Sequence, residues 1–308
     1  MRAKQLKVAV LMGGPGRERE VSLQSGASAA KALERAGCSV VPWDIGPDRL
    51  EILEDRAIDV FFVALHGVFG EDGQLQELLE GKGLAYTGSG PQACRLAFDK
   101  LATKRCLEKA GLDAPICLEF TADTDPRSFE QALQSLGPRV VVKPVRQGSS
   151  VGVRILDRPD EVLAVCRTTL AEFGDCMVEQ FIAGREVTAG VLLGRSLPVI
   201  EIRPVKGFYD YHAKYVDDQT QYLFDTLPAE VERSVQAKGL QAFQALGLRH
   251  LGRIDFILSP EGRAYVLEAN AIPGLTGHSL VPKAAARVGL SMSDLCVQVA
   301  EAAREGRA

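Results

Sequence analysis

No apolar run in this chain is long enough to cross a bilayer. The N-terminal MRAKQLK leads straight into the strand-like VAVLM with no long hydrophobic segment and no small-residue cleavage site. A cytoplasmic protein is the expectation. Lysine and arginine form no run, and 36 of them against 40 acidic residues leave a net charge of -4. That balance argues against non-specific nucleic-acid binding and against a polybasic membrane anchor. Seven cysteines, at 38, 94, 106, 117, 166, 176 and 296, are odd in number and contain no C-x-x-C pair, so neither zinc nor disulfides are implied. There is no internal repeat and no low-complexity tract. What is there is ordinary globular material: 308 residues, 46% hydrophobic and 25% charged, enough for two or three domains with substantial cores. The partners to expect are small molecules.

The first ninety residues alternate strand and helix: KVAVLM, a helix expected to be capped by Ser22 and closed by Gly37, SVVPW, DVFFVAL, and a helix beginning near Asp72. That order predicts a parallel sheet covered by helices. GSGP at 88–91 marks a boundary before one long helical stretch, ACRLAFDKLATKRCLEKAG. The strands VVVKP, VGVRIL and MVEQF, with a helix from about Pro159 to Phe173, read as an antiparallel α+β unit. Two more strands, a loop containing FYDYHAKY, a helix from about Pro228 to Leu246, a hairpin and two terminal helices complete the chain.

The hairpin, GRIDFILSPEGRAYVLEAN, poses the chemical question. Its apolar runs flank the turn Ser259-Pro260-Glu261-Gly262. An even-numbered loop would set Arg253 opposite Glu268 and Asp255 opposite Val266. Alternation then puts Arg253, Asp255, Glu268 and Asn270 on one face and Ile254, Phe256, Leu258, Tyr265 and Leu267 in the core. Unpaired buried charge costs several kcal/mol, so the polar face needs a partner. One candidate is an ion pair between Arg253 and Glu268. The other is a set of hard oxygens for Mg²⁺ and nucleotide phosphates, and four polar groups beside NAIPGLTGHS favour it.

Other clusters are weighed against this one. GGPGRERE with Asp44 after the second strand suggests dinucleotide binding, but Arg19 occupies the third glycine position and Glu18 would repel a pyrophosphate. A carboxylate aimed at an ammonium group explains Glu18 better. VVVKPVRQGSSVGV is not a Walker A loop; its glycine and serines suit a flexible hairpin closing over phosphates, with Lys143 as point charge. His66 ends a strand at the carboxyl edge of the parallel sheet, where ligands bind in open α/β folds. Glu179 and Glu186 flank QFIAG, a candidate hinge, where isolated glutamates otherwise read as solvated surface.

Taken in order, EREVSLQSG, ALHGVFGEDGQLQ, YTGSG, DK..TK, VKPVRQGSSVGV, FYDYHAKY, GRIDFIL and EANAIPGLTGHSLVP resemble the D-alanine:D-alanine ligases of the ATP-grasp superfamily. The resemblance spans nearly the whole chain. It implies an N-terminal parallel α/β domain over 1–88, a central α+β lid over 89–182 and a C-terminal ATP-grasp catalytic unit over 183–308. The reaction it implies joins two D-alanines at the expense of ATP, through an acyl phosphate, and supplies peptidoglycan precursor. It assigns Lys100 and Lys143 to phosphates, Glu179 and Glu186 to adenine and ribose, and Asp255, Glu268 and Asn270 to two Mg²⁺ ions, with Mn²⁺ as an alternative. Glu18 holds the first D-alanine's ammonium and forms a triad with Ser149 and Tyr215 that pins the 206–220 loop over the site. Arg253 and the Gly274 N–H make an oxyanion hole, with His66 near the reacting groups. Lys214, Ser279 and Leu280 bind the second substrate. A homodimer is expected.

This chain departs from the family pattern at Pro15-Gly16, near Glu18, and at Gln180, Ala271 and Leu275. The rival readings are a ligase for D-lactate, D-serine or another amine, and a nucleotide-binding regulatory protein with a dead site. Retention of each charged group needed for chemistry opposes the second.

Overall fold

The computed structural model describes residues 6–204 and 219–306. Its first sheet is parallel, in the order β2-β1-β3, from β1 (Lys7–Gly13), β2 (Ser39–Ile45) and β3 (Val60–Val63). Six of the seven residues of the central strand β1 are buried, which is why it reads as an unbroken apolar run. Helix α1 (Arg19–Arg35) covers the sheet, and α2 (Gln74–Gly81) follows β3. Ser22 does not cap α1. Residue 18 is the N-cap, and the buried Ser22 hydroxyl instead accepts from the Gly13 N–H and donates to the Ala64 carbonyl, both at 2.8 Å, tying helix to sheet.

The expected long helix is two, α3 (Pro91–Phe98) and α4 (Lys100–Lys109). Asp99 leaves the helical conformation at ψ 104° and caps the second by accepting from the Ala102 N–H at 2.9 Å. The next sheet is fully antiparallel, ordered β4-β7-β5-β6, from β4 (Cys117–Phe120), β5 (Val140–Pro144), β6 (Arg154–Leu156) and β7 (Cys176–Gln180). Helices α5 (Pro126–Leu133) and α6 (Pro159–Phe173) accompany it.

The third sheet combines β8 (Arg185–Leu192), β9 (Arg195–Ser196), β10 (Ile200–Arg203), β11 (Gln221–Leu223), β12 (Leu251–Leu258) and β13 (Ala264–Asn270) in the order β11-β10-β8-β12-β13, with β9 on β8. Helix α7 (Ala229–Ala245) packs on it; α8 (Leu280–Arg287) and α9 (Met292–Arg304) close the chain. The last helix returns to the first sheet unit. Leu295, Cys296 and Val299 of α9 share one core cluster with Val8, Val10 and Leu33, and Ser293 donates to the Ala32 carbonyl of α1 at 2.8 Å.

The hairpin register differs from the sequence expectation. Arg253 faces Asn270 and Asp255 faces Glu268, while Phe256 faces Val266, so Leu267 is an extra residue in a β-bulge. The bulge reverses the alternation of β13. Ala264, Val266 and Ala269 enter the core with Ile254, Phe256 and Leu258, whereas Leu267 and Glu268 both line the cavity on the other face. Tyr265 also lies off the core, beneath the Arg263 guanidinium 5.1 Å from its ring centre. The four polar groups do share a face, but the bulge is what keeps Glu268 beside Asp255.

Candidate active site

The polar face of the hairpin is satisfied first by its own members. Arg253 donates from Nε and Nη2 to the two oxygens of Asp255 at 2.8 and 2.7 Å, a planar fork in which both side chains are largely buried. Thr188 donates to Asp255 Oδ1 at 2.6 Å and Asn270 to Oδ2 at 3.1 Å. Arg253 thus pairs with Asp255 on its own strand, where the alternative weighed from the sequence was a pair with Glu268. Glu268 lines the cavity wall.

Two cavities meet at this face. The first lies between the second and third sheets, about 450 Å³, lined by Lys100, Lys143, Glu179 and Glu186 with the apolar Ile257 and Leu267, and ending at Asp255 and Glu268. An apolar slot with lysines at one end suits a base and its phosphates. The second, about 490 Å³, lies on the side of the first sheet and holds Glu18, His66, Ser149, Arg253, Gly274, Ser279 and Leu280. Its lining carries acids, Glu18 and Glu71, and cations, Arg253 and Lys283, a mixture suited to zwitterions. Lys214 and Tyr215 lie outside the described residues.

In the first cavity Glu179 is held between two lysines. Its carboxylate is 2.8 Å from Lys143 and 2.8 Å from Lys104, and all three side chains are buried. Burial alone would raise the pKa of Glu179, yet the Lys104 and Lys143 charges outweigh it and hold the group below its ordinary value. Burial in turn pushes Lys104 down, against the Glu179 charge. Lys104 also donates to the Pro115 carbonyl at 2.7 Å. It received no role from the sequence, although it is the second lysine of DK..TK. Lys100 donates to the Gln147 carbonyl and so ties α4 to the glycine-serine loop.

That loop reaches the first sheet unit. Ser149 donates to Glu18, and both are buried. Ser149 and Ser150 both adopt positive φ, 54° and 56°, an unusual pair for residues with a Cβ and a mark of a backbone shaped for a site. A Cβ on Gly148 would come within 2.9 Å of the Glu18 carboxylate, so glycine is what lets the loop close over it. The arginines that follow Pro15-Gly16 make ion pairs at the surface. Arg19 forks onto Asp44, at 2.8 and 2.5 Å, and Arg17 reaches Glu172 at 3.3 Å and stacks 5.2 Å from the Phe173 ring centre. Asp44 also takes Arg49 at 3.1 Å, which occupies the carboxylate a dinucleotide would need.

His66 is buried three residues past the end of β3, where burial lowers its pKa to about 4 against the raising effect of a hydrogen bond to the Ile272 backbone. It is a neutral ring at physiological pH, poorly suited to accept a proton in a turnover. Its Nε2 sits 3.1 Å from the hydroxyl of Ser25, another residue the sequence did not single out. Glu71, also missed, receives the Gly67 N–H at 2.7 Å and lines both the second cavity and a small pocket shared with Lys100 and Glu268. Burial first, then the Glu18 charge, pushes its pKa up to about 8. Ser279 accepts from the Thr276 N–H at 3.0 Å just before α8, and Leu280 beside it is buried at the cavity wall.

Among the described residues no three acidic, histidine or cysteine side chains form a metal cluster. The donor set nonetheless fits a hard cation held mainly by phosphates and water, the usual state of Mg²⁺. Glu268 lines the cavity, and Asn270 keeps its carbonyl oxygen for a cation while its amide serves Asp255. All four acceptor positions of Asp255 are taken by Arg253, Thr188 and Asn270, so this carboxylate must release one bond to bind a metal.

Known proteins match this geometry. The model of the D-ala D-ala ligase C-terminus matches residues 107–301 and that of the N-terminus residues 46–89. A D-alanine–D-alanine ligase of Aromatoleum aromaticum is 44% identical over 306 residues, 99% of this chain and 98% of its own length. One from Desulforudis audaxviator is 44% identical over 304 residues, covering 97% of this chain and 99% of its own. The crystal structure of a D-alanine–D-alanine ligase from Bacillus anthracis complexed with ATP superposes with a TM-score of 0.86 at 31% identity, over 98% of both chains. A D-Ala:D-Ser ligase from Enterococcus faecalis superposes with 0.85 at 27% identity, over 97% of this chain and 100% of that one. By its mixed α/β fold, by these relatives and by nearly complete coverage, the chain belongs to the D-alanine–D-alanine ligase family, ATP-dependent enzymes of ATP-grasp type that make D-alanyl-D-alanine for peptidoglycan.

Proposed function

We propose that the two cavities are the nucleotide and amino-acid halves of one ligase site, and that the polar hairpin face is where the γ-phosphate meets the first D-alanine. The observation that carries this reading is the placement of Asp255 and Glu268 on one cavity and Arg253 and Asn270 on the other. Lys100 and Lys143 hold phosphates, and Glu179, kept ionised by its lysines, receives the adenine amino group, with Glu186 at the ribose. Glu18 takes the ammonium of the first D-alanine, and the Ser149 hydroxyl fixes that carboxylate while its loop keeps water from the acyl phosphate. Arg253 and the Gly274 N–H stabilise the oxyanion formed when the second amine attacks. Ser279 and Leu280, with Lys214, bind the second D-alanine, and Tyr215 joins Glu18 and Ser149.

Asp255, Glu268 and Asn270 would hold Mg²⁺, two ions, with Mn²⁺ as an alternative. When bound, the ions neutralise phosphate charge and polarise the transferred phosphoryl group. We place the units at 1–88, 89–182 and 183–308, around the three sheets. No helix of the described residues is long and apolar enough to cross a membrane. A cytoplasmic homodimer accords with the family resemblance. The test is phosphate release and product chromatography with ATP, Mg²⁺ and D-alanine, beside L-alanine, D-serine and D-lactate. Dipeptide from D-alanine alone is expected; a preference for D-serine or D-lactate as second substrate overturns the assignment of both sites to D-alanine.

A further inference from the structure

We propose that Ser25 is a positioning residue: through paired hydrogen bonds to Leu275 and His66, it holds the Gly274 N–H in place for the oxyanion. The inference rests on the oxyanion role given to that N–H above. Ser25 lies seven residues beyond Glu18 on α1, two turns along the same helix face, and is fully buried. Its hydroxyl accepts from the Leu275 N–H at 3.3 Å and sits 3.1 Å from His66 Nε2. A hydroxyl has one proton. In this role the ring's own proton lies on Nδ1, toward the Ile272 carbonyl, so that a bare Nε2 accepts the Ser25 proton.

The ring's backbone hydrogen bond is to Ile272, and it favours the protonated form, as a carbonyl acceptor does. The segment from Ile272 to Leu275 is thus tied at both ends to buried side chains of the first sheet unit. Pro273 and Gly274 lie between the ties. A Cβ on Gly274 would approach the Ser279 hydroxyl to 2.8 Å and the Ser25 hydroxyl to 3.9 Å, so the glycine backbone is fitted between two serines. A donor held this way costs no reorganisation as negative charge develops, the condition under which such a donor is most effective. His66 then serves as a neutral strut between Ser25 and Ile272, which accounts for a strand-end histidine that does not titrate near neutrality.

Ser25→Ala and Ser25→Cys in the full chain separate this role from packing. Loss of the tie leaves phosphoryl transfer to the first D-alanine intact and slows amine attack, so kcat for dipeptide falls about tenfold or more while KM for ATP stays within about twofold. Phosphate released per dipeptide rises above one as stranded acyl phosphate meets water. Cysteine restores the volume without a comparably strong hydrogen bond and is expected to stay slow. In ¹⁵N spectra of the wild type, His66 is expected as a neutral ring protonated at Nδ1, whether or not either variant folds. Protonation at Nε2, or wild-type kcat and one phosphate per dipeptide in either variant, overturns the proposal. A wild type that forms no dipeptide overturns the ligase reading beneath it.

Discussion

Glu71→Gln is expected to flatten the pH dependence of unfolding between about pH 4.5 and 8. In the folded protein Glu71 keeps its proton up to about pH 8, because burial and then the Glu18 charge oppose its ionisation, whereas its ordinary value is 4.5. Between those limits the folded state binds one more proton than the unfolded chain, so this group makes stability fall as pH rises. Below 4.5 both states are protonated and its contribution is complete; above 8 both are ionised and the loss is complete. At about 1.4 kcal/mol per pH unit over about 3.5 units, the swing is on the order of 5 kcal/mol. Glutamine cannot ionise, and its amide oxygen can still accept the Gly67 N–H. Urea unfolding of both proteins without nucleotide, metal or D-alanine, at intervals from pH 5 to 9, isolates Glu71 and its coupling to Glu18, since carboxylates remote from it contribute equally to both curves. The variant is expected to match or trail the wild type near pH 5 and to overtake it by pH 8. Parallel curves would refute the placement of a neutral acid beside Glu18.

Arg253→Lys keeps the charge but breaks the fork onto Asp255, and kcat is expected to fall about a hundredfold with the fold retained; a rate near wild type would reduce Arg253 to an ion-pair partner. Glu268→Gln is expected to abolish turnover in a protein with an unchanged circular dichroism spectrum, and near-normal phosphate release would remove Glu268 from the metal site. Ser149→Ala removes one hydrogen bond from the Glu18 carboxylate and loosens the loop, so the KM of the first D-alanine is expected to rise by about tenfold, with phosphate release uncoupled from dipeptide. A change confined to the KM for ATP would count against the contact with Glu18.

Much of the site was legible because its residues break a local pattern. Arginine and two carboxylates inside apolar strands demand an explanation from alternation alone, and the fold class follows from the order of strands and helices. The register of the hairpin was not legible. Leu267 enters as an extra residue on one strand, and nothing in an evenly alternating stretch signals where the backbone will bulge. Glu71 and Lys104 were missed because a charged residue near glycine turns or on an amphipathic helix ordinarily faces water. Only the three-dimensional packing of α4 and the Gly67 turn brings them inside. Ser25 and Ser22 carry no signal apart from lying on one face of α1, and the break at Asp99 depends on a side-chain cap that competes with helix continuation.

The return of α9 to the first sheet unit has a consequence for biosynthesis. Chains emerge from the ribosome N-terminus first, and domains ordinarily mature in that order. Here the face of the opening sheet unit that includes Val8, Val10 and Leu33 stays incomplete until Leu295, Cys296 and Val299 have been translated. The nascent chain carries the part of that apolar surface that α1 does not cover until the last helix has been made, which makes it a target for chaperones. A message truncated anywhere before Met292 yields a protein with an open core at its very first element, as well as one shortened at its end.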